Sequence, residues 1–321
     1  MPSSPALVPE LMPPVQPLVV VVLTFNCEGI IAQTLAQARK LCAQPFVVDS
    51  NSTDRTVDIA LGLGCRVVQR PFKHYGDQRN WAIAELAPVA RWQLHLDADE
   101  VLDDEAVHDI ARIVAAGIPG PHAYLLRRVD YFMGRQLRHS GVNPWHLRLF
   151  LSGHGACEDR LYDQHFVCDS PAGRLRGCMH DKNAVSLSDW TARHNRWSDL
   201  EVAENTRGEG AKAGVLQGRL RGDPRERTRS LKALYYRLPG GLRSAAYFVY
   251  RYVLRLGFLD GREGFYFAVL QAFWFRVLVD AKTYELTKAS SAVPAITPLR
   301  VEADVDTDTG PSKPPSGRPA A

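Results

Sequence analysis

The sequence predicts an α/β fold built on a mainly parallel sheet flanked by helices, with a helical extension toward the C-terminus. Three observations predict it. Short apolar segments alternate with amphipathic ones over the first hundred residues, as in successive strand–helix units. Residues 18–23 and 46–48 are uninterrupted apolar runs rich in Val, as strands covered on both faces require. These runs and the one at 92–96 stop at polar or acidic clusters, where open α/β sheets place their ligand crevice.

Each element follows in order. Residues 1–16 are rich in Pro and Ser, lack the basic start of a signal peptide and are expected to be disordered. Residues 18–23 are the first strand and 28–41 a helix. Residues 46–48 form a second strand ending at Asp49. Ser52-Thr53-Asp54 offers capping side chains to a helix over 55–62. A third strand spans 66–69, a helix 77–86 and a fourth strand 92–96. Beyond Glu100 the pattern changes: a helix at 104–114, strands at 122–131 and 147–151, and a helix at 188–205 carrying Trp190 and Trp197. The Gly/Arg-rich stretch 207–223 reads as a linker or loop. Residues 231–287 hold two or three helices crowded with Tyr, Phe and Trp, and 293–321 is Pro-rich and expected to be disordered. The chain thus divides into a tail at 1–16, a domain at 17–206, a linker at 207–227, an aromatic and basic helical region at 228–290 and a tail at 291–321.

The 321 residues are 45% hydrophobic, ample for a packed core. A net charge of +4 argues against a general nucleic-acid binder. The basic residues cluster: Arg219, Arg221, Arg225, Arg227, Arg229, Lys232, Arg237, Arg243, Arg251 and Arg255 face only Asp223 and Glu226. Such a segment either meets an anionic membrane surface or acceptor, or is a solvated helical face. None of the six cysteines forms a Cys-x-x-Cys pair, so no zinc or redox motif of that kind is indicated. They read as small buried hydrophobes in a reducing, cytoplasmic compartment. No uninterrupted apolar run has the length of a membrane span.

The chemistry concentrates in Asp97-Ala98-Asp99-Glu100. Two residues apart on extended backbone, Asp97 and Asp99 aim at one side. That suits a divalent cation carrying phosphate oxygens; a solvated acidic strand end is the competing reading. Gly62-Leu63-Gly64 follows a helix and is no dinucleotide fingerprint. There is no Walker lysine loop, no His-Glu-x-x-His and no Gly-x-Ser-x-Gly.

Four blocks line up in order: Thr24-Phe25-Asn26-Cys27-Glu28, Asp49-Ser50-Asn51-Ser52-Thr53-Asp54, Gln78-Arg79-Asn80-Trp81 and Asp97-Ala98-Asp99-Glu100. As an ordered set over roughly residues 17–165 they resemble the family 2 glycosyltransferases, which have the GT-A fold and use nucleotide-sugar donors. Phe25 stands in place of that family's tyrosine, and Ser50-Asn51 in place of Asp-Gly. The resemblance implies a donor site of Thr24, Phe25, Asn26, Glu28, Asp49, Arg79 and Asp97, with Asp49 on the nucleoside and Arg79 on the diphosphate. Turn and cap chemistry is the alternative for Asp49 and the preferred role for Asp54. It implies Mg²⁺ or Mn²⁺ on Asp97 and Asp99, with His180 as a further ligand. Glu158-Asp159-Arg160 resembles the acidic acceptor-side motif, with Asp159 or Glu158 as general base.

Arg193-His194-Asn195-Arg196-Trp197 resembles the Gln-x-x-Arg-Trp motif of processive members, placing Arg196 and Trp197 on the acceptor side. Arg193 stands where glutamine would, which argues against processivity. The aromatic stretch at 257–279 is too broken to span a bilayer. It is expected either to lie in a membrane interface, aromatic face inward, or to pack on the domain or a second copy. The resemblance extends to bacterial transferases of lipopolysaccharide core and other envelope glycans. It implies inverting transfer from a nucleotide sugar, with a UDP-linked donor expected, to a glycan or lipid-linked acceptor at the cytoplasmic face of the inner membrane. Two rival readings are a nucleotidyltransferase, whose Gly-rich, lysine-bearing loop is missing after the first strand, and a non-catalytic glycan-binding or scaffold protein, against which the intact acids speak.

Overall fold

The computed structural model describes residues 15–117, 120–182, 186–207 and 215–292. The expected tails, apart from their innermost residues, and part of the expected linker lie outside these. Strands β1 (Gln16–Thr24), β2 (Phe46–Asp49), β3 (Arg66–Gln69) and β4 (Ala90–Asp97) pair in parallel in the order β3-β2-β1-β4. Helices α1 (Ile31–Ala38), α2 (Thr56–Gly62) and α3 (Tyr75–Leu86) connect them. The continuous apolar runs are continuous because both faces are covered. Val20, Val22, Leu94 and Leu96 pack toward Ile31 and Leu35, whereas Val19, Val21 and Leu23 pack with Phe46, Ala82 and Leu86. The register sets the three strand ends level, with Thr24 opposite Asp49 and Leu23 opposite Asp97.

The second half of the sheet is β5 (Glu100–Leu102), β6 (Ala123–Phe132), β7 (Arg135–Gln136), β8 (Trp145–Leu151) and β11 (Gly173–Asp181), with α4 (Asp104–Ala115) packed against β11. The order continues β4-β8-β6-β11-β5, with β6 and β11 parallel and β8 antiparallel between β4 and β6. β5 follows β4 after only Ala98 and Asp99, yet pairs with β11 at the far edge. The sheet therefore curls until that edge meets the end of β4, and Glu100 lies opposite Asp181. A separate two-stranded sheet comprises β9 (Gly155–Cys157) and β10 (Phe166–Cys168).

Helix α5 (Leu187–Thr206) is followed by α6 (Pro224–Tyr235), whose start inside the expected linker is set by an Asp223/Glu226 capping box with Pro at the first turn. Helix α7 (Leu242–Val249) continues as a π-helical turn over Tyr250–Leu254. Helices α8 (Gly261–Phe267) and α9 (Phe275–Ala292) are joined by another over Ala268–Trp274. Buried charges lock these helices onto the sheet domain. Asp260 accepts hydrogen bonds from the backbone N–H groups of Arg138, His139 and Ser140 at 3.1, 2.9 and 2.6 Å. Glu201 takes Lys232 at 2.8 Å and Arg276 at 3.1 Å.

The sequence reading of a broken stretch at 257–279 is corrected by the helix Gly257–Ala289, which is long and apolar enough to cross a membrane by length and composition alone. Its Arg276 and Asp280 are engaged with Glu201 and Arg243 of the same molecule. The basic cluster also divides. Arg225, Arg229, Lys232 and Arg243 turn inward to Asp223, Glu158, Asp163 and Asp280, and Arg251 turns inward to the Ser140 carbonyl. Arg219, Arg221, Arg227 and Arg237 remain exposed, as does Arg262 beyond the cluster.

All six cysteines are free thiols. Burial pushes Cys27 up to about 12 and Cys65 and Cys157 up to about 11, so these three are inert packing groups.

Candidate active site

The curl of the sheet gathers four carboxylates, Asp97, Asp99, Glu100 and Asp181, at the end of β4. Asp97 is not free among them. Arg79 of α3 bonds one of its oxygens, and Arg148 of β8 the other at 2.9 Å. Burial alone would raise the Asp97 carboxyl, but the two guanidiniums overcome it and hold the group at about 2. Arg148 also bonds the fully buried Glu100, which in turn accepts the Asp97 backbone N–H at 3.0 Å. The two guanidiniums sit 5.1 and 5.9 Å from the Phe166 ring. Asp97 keeps 36% of its side-chain exposure, so this fixed anion still reaches the surface.

Asp99 differs. Among the described residues its carboxylate has no hydrogen-bond partner. Burial, then the charges of Asp181, Asp97 and Glu100, push it up to about 8, against the opposing charge of Arg193. A carboxyl held protonated by neighbouring acids takes a divalent cation in place of its proton. The oxygen-only donors Asp99 and Asp181, the latter facing Arg128 at 3.7 Å, fit a hard cation such as Mg²⁺ or Mn²⁺. The expected ligand set therefore shifts. Asp97 is committed to arginines. His180 hydrogen-bonds Tyr131 at 3.1 Å and faces Asp103 at 3.8 Å. Adjacent strand residues point to opposite faces, and the β11 residue whose charge acts on Asp99 is Asp181.

The tips of β1 and β2 are tied to each other. Asp49 is fully buried, and its oxygens accept from the Thr24 hydroxyl at 2.8 Å, the Ser52 N–H at 2.8 Å and the Gln69 amide at 3.3 Å. This corrects the assignment of Asp49 and Thr24 to the nucleoside: both are consumed in holding the tips together. Asn26 accepts the Thr53 N–H at 2.8 Å, and Glu28 accepts the Arg55 N–H at 3.1 Å. Asp54 accepts the N–H groups of Thr56 and Glu28 at 2.9 and 3.0 Å, a turn-holding role just ahead of α2, whose N-cap is Arg55. Asn26 and Asn51 have φ of 43° and 62°, a left-handed backbone that costs energy outside glycine and is kept here by these bonds. Asn26, Glu28, Asn51 and Thr53 are exposed at these tips, with Phe25 half-buried beside them.

Every residue of Gln78-Arg79-Asn80-Trp81 has a distinct task. Gln78 bonds Ser50 at the β2 tip at 3.2 Å, and Arg79 holds Asp97. Asn80 clasps the Cys157 backbone with both ends of its amide, at 2.9 and 2.8 Å. Trp81 packs on Phe46 with ring centroids 6.1 Å apart. A Cβ on Gly76 would lie 2.7 Å from the Glu158 carbonyl, so the start of α3 is pressed against the acceptor-side acids.

Those acids separate cleanly. Glu158 has no exposed side-chain surface and accepts from the backbone N–H groups of His165 and Leu216 at 2.8 and 2.6 Å and from Arg229 at 3.0 Å. Its assignment as a base is corrected, since every oxygen is engaged and shielded. Asp159 is 72% exposed, with the His74 ring 3.6 Å away. Of the downstream motif, Arg196 is exposed and Trp197 packs against Tyr162 and His194. Arg193, stacked 5.0 Å from the Trp197 ring, is the member whose charge reaches Asp99.

Sequence reading missed Arg148, Asp181 and Arg193. A lone arginine in the apolar strand Leu147-Arg148-Leu149-Phe150 was the available signal, because a buried charge demands a partner.

The sequence matches the Glycosyl transferase family 2 domain over residues 19–173. An uncharacterized glycosyltransferase of Rickettsia typhi is 28% identical over 287 residues, covering 85% of this chain and 88% of its own length. Another from Rickettsia felis is 37% identical over 95 residues, 30% of this chain and 33% of that one. Among solved structures, glucosyl-3-phosphoglycerate synthase from Mycobacterium tuberculosis in complex with Mn²⁺, uridine diphosphate and phosphoglyceric acid has a TM-score of 0.29 and 21% identity over 35% of this chain and 43% of that one. S. aureus TarS 1-349 has a TM-score of 0.37 and 14% identity, covering 84% and 91%. At such TM-scores the structural likenesses carry no argument.

Proposed function

The chain belongs to the family 2 glycosyltransferases through residues 19–173, and from that premise we propose that it moves one sugar from a nucleotide-sugar donor to a hydroxyl of a cell-envelope glycan or lipid-linked acceptor, with inversion at the anomeric carbon. One observation carries the reading. The end of β4 sets a crowded, proton-holding Asp99 beside an arginine-locked Asp97, level with the tips of β1 and β2.

The donor lies over Asn26, Glu28 and Phe25, its diphosphate toward Asp99. Asp99 and Asp181 would hold the divalent cation, which would supply positive charge against the departing nucleoside diphosphate. Arg193 faces the same acids and adds positive potential on the open side. Asp97 is kept ionised by Arg79 and Arg148, so it offers a fixed acceptor to a hydroxyl of the donor. Asp159, exposed and adjacent to His74, takes the proton of the attacking acceptor hydroxyl; such a base contributes about 10²–10⁴ in rate. A UDP-sugar is the first donor to test, as the family resemblance implies.

The outer face of the C-terminal helices supports a lipid-linked acceptor. Leu234, Leu238, Leu242, Val253, Leu254 and Leu259 are each at least 47% exposed, beside Arg237 and Arg262. Exposed apolar side chains concentrated on these helices suit an interaction surface, and the exposed cations among them suit an anionic headgroup layer. This reading places the protein peripherally at the cytoplasmic face of the inner membrane.

Donor turnover tests it. Purified protein with Mn²⁺ should release nucleoside diphosphate from one nucleotide sugar in a panel, and Asp99→Asn should abolish release. Turnover that is equal in Asp99→Asn would refute the site.

A further inference from the structure

Outside the acid cluster at the end of β4, three side chains from separate segments converge. His122 precedes β6, His154 lies in the turn between β8 and β9, and Asp169 follows β10. His154 Nδ1 is 2.7 Å from one Asp169 oxygen, and His122 Nδ1 is 3.8 Å from the other. The two imidazole rings are 4.2 Å apart between centroids, and one ligand atom from each of the three residues lies within 4.8 Å of the others. The backbone fixes this geometry independently of any ion. The Leu151 N–H donates to the His122 carbonyl at 2.8 Å, the His154 N–H to the Leu151 carbonyl at 3.1 Å and the Asp169 N–H to the His154 carbonyl at 3.4 Å. His122 Nδ1 is itself buried and has no hydrogen-bond partner among the described residues. A buried nitrogen left without a partner costs stability.

We propose that His122, His154 and Asp169 form a zinc site. Two imidazoles and a carboxylate with a fourth position open to water are a zinc donor set. Zinc bonds of roughly 2.0–2.2 Å place tetrahedral ligand atoms about 3.3 Å apart, within the range of separations found. The imidazoles select zinc over the hard cations that the oxygen-only cluster at Asp99 suits.

The position gives the ion a task. β9 and β10 pair Gly155 with Cys168 and Cys157 with Phe166. His154 and Asp169 therefore flank the open base of this hairpin, and residues 158–165, with Asp159, form its tip. Zinc staples the base of the hairpin to the main sheet at His122. Asn80 holds the same hairpin at Cys157, so zinc supplies the second of two anchors beneath Asp159.

The test uses tag-free full-length protein, stripped with chelator and saturated with Mg²⁺, then titrated with Zn²⁺ by calorimetry and followed by thermal melts. We expect one zinc per chain and a Tm rise of roughly 5 °C at a hundredfold excess over Kd. His154→Asn and His122→Asn should lose both, and Asp99→Asn should keep both. X-ray absorption at the zinc edge on the wild type, which needs no variant to fold, should show two imidazoles on the metal. Absence of stoichiometric zinc would overturn the proposal. So would binding that survives in both histidine variants but disappears in Asp99→Asn, or a spectrum without imidazole.

Discussion

Replacing Arg148 with methionine probes the charge arrangement behind the crevice. Arg148 is 6% exposed, and its guanidinium serves Asp97 at 2.9 Å and the 1%-exposed Glu100. Asp97 keeps Arg79 when Arg148 is lost. Glu100 is left with only the Asp97 N–H at 3.0 Å. Removing one partner of a buried ion pair costs about 3–5 kcal/mol, a large part of a total stability of about 5–15 kcal/mol. Urea unfolding at pH 7, followed by tryptophan fluorescence, measures it. The pH dependence has a definite sign. Glu100 is already raised by burial against the pull of Arg148, and the variant raises it further. Between the ordinary carboxyl range and that higher folded value, the native state holds more protons than the unfolded state, so stability falls as pH rises. The deficit of Arg148→Met should therefore shrink from pH 7 to pH 5. Adding Glu100→Gln should recover about 2 kcal/mol at pH 7. A cost under about 1 kcal/mol, or one independent of pH, would refute the reasoning.

Asp159→Asn should lower kcat by about 10²–10⁴ with Tm unchanged, whereas Glu158→Gln should lower Tm first; acceptor assays paired with thermal melts separate them. Asn80→Ala removes both bonds to the Cys157 backbone and should cost about 2–3 kcal/mol in urea unfolding. Leu254→Ser combined with Leu259→Ser should weaken flotation with anionic phospholipid vesicles severalfold and leave donor hydrolysis in solution intact; unchanged flotation would remove the membrane reading.

The N-terminal half of the fold was legible because its strands are covered on both faces, which forces continuous apolar runs such as Val19–Leu23. Asp97 and Asp99 were legible as a cluster because acids abruptly end an apolar strand; the extended backbone expected between them is instead a turn at Ala98 and Asp99. Their fates were not. Asp97 is claimed by Arg148, which lies on a strand some fifty residues later, and Asp99 meets Asp181 only because the sheet curls. β11 went unread because Arg174, Arg176 and Gly177 interrupt its pattern, and a register shift between Arg174 and Cys178 accompanies them. Asp49 looked like a ligand because its local sequence matches one. Burial beneath Ser52 is a tertiary fact that no spacing encodes. The start of α6, by contrast, was readable: Asp223-Pro224 followed by Glu226 is a capping signal.

The central claim is that the acids closing β4 bind a cation together with a diphosphate donor. Thermal melts of wild type and Asp99→Asn, each with Mn²⁺ alone, UDP alone and both, address it most directly. The account predicts that the wild type is stabilised by the two ligands together well beyond the sum of each alone, and that Asp99→Asn loses this excess while melting normally without ligand. An equal response in both proteins would contradict it.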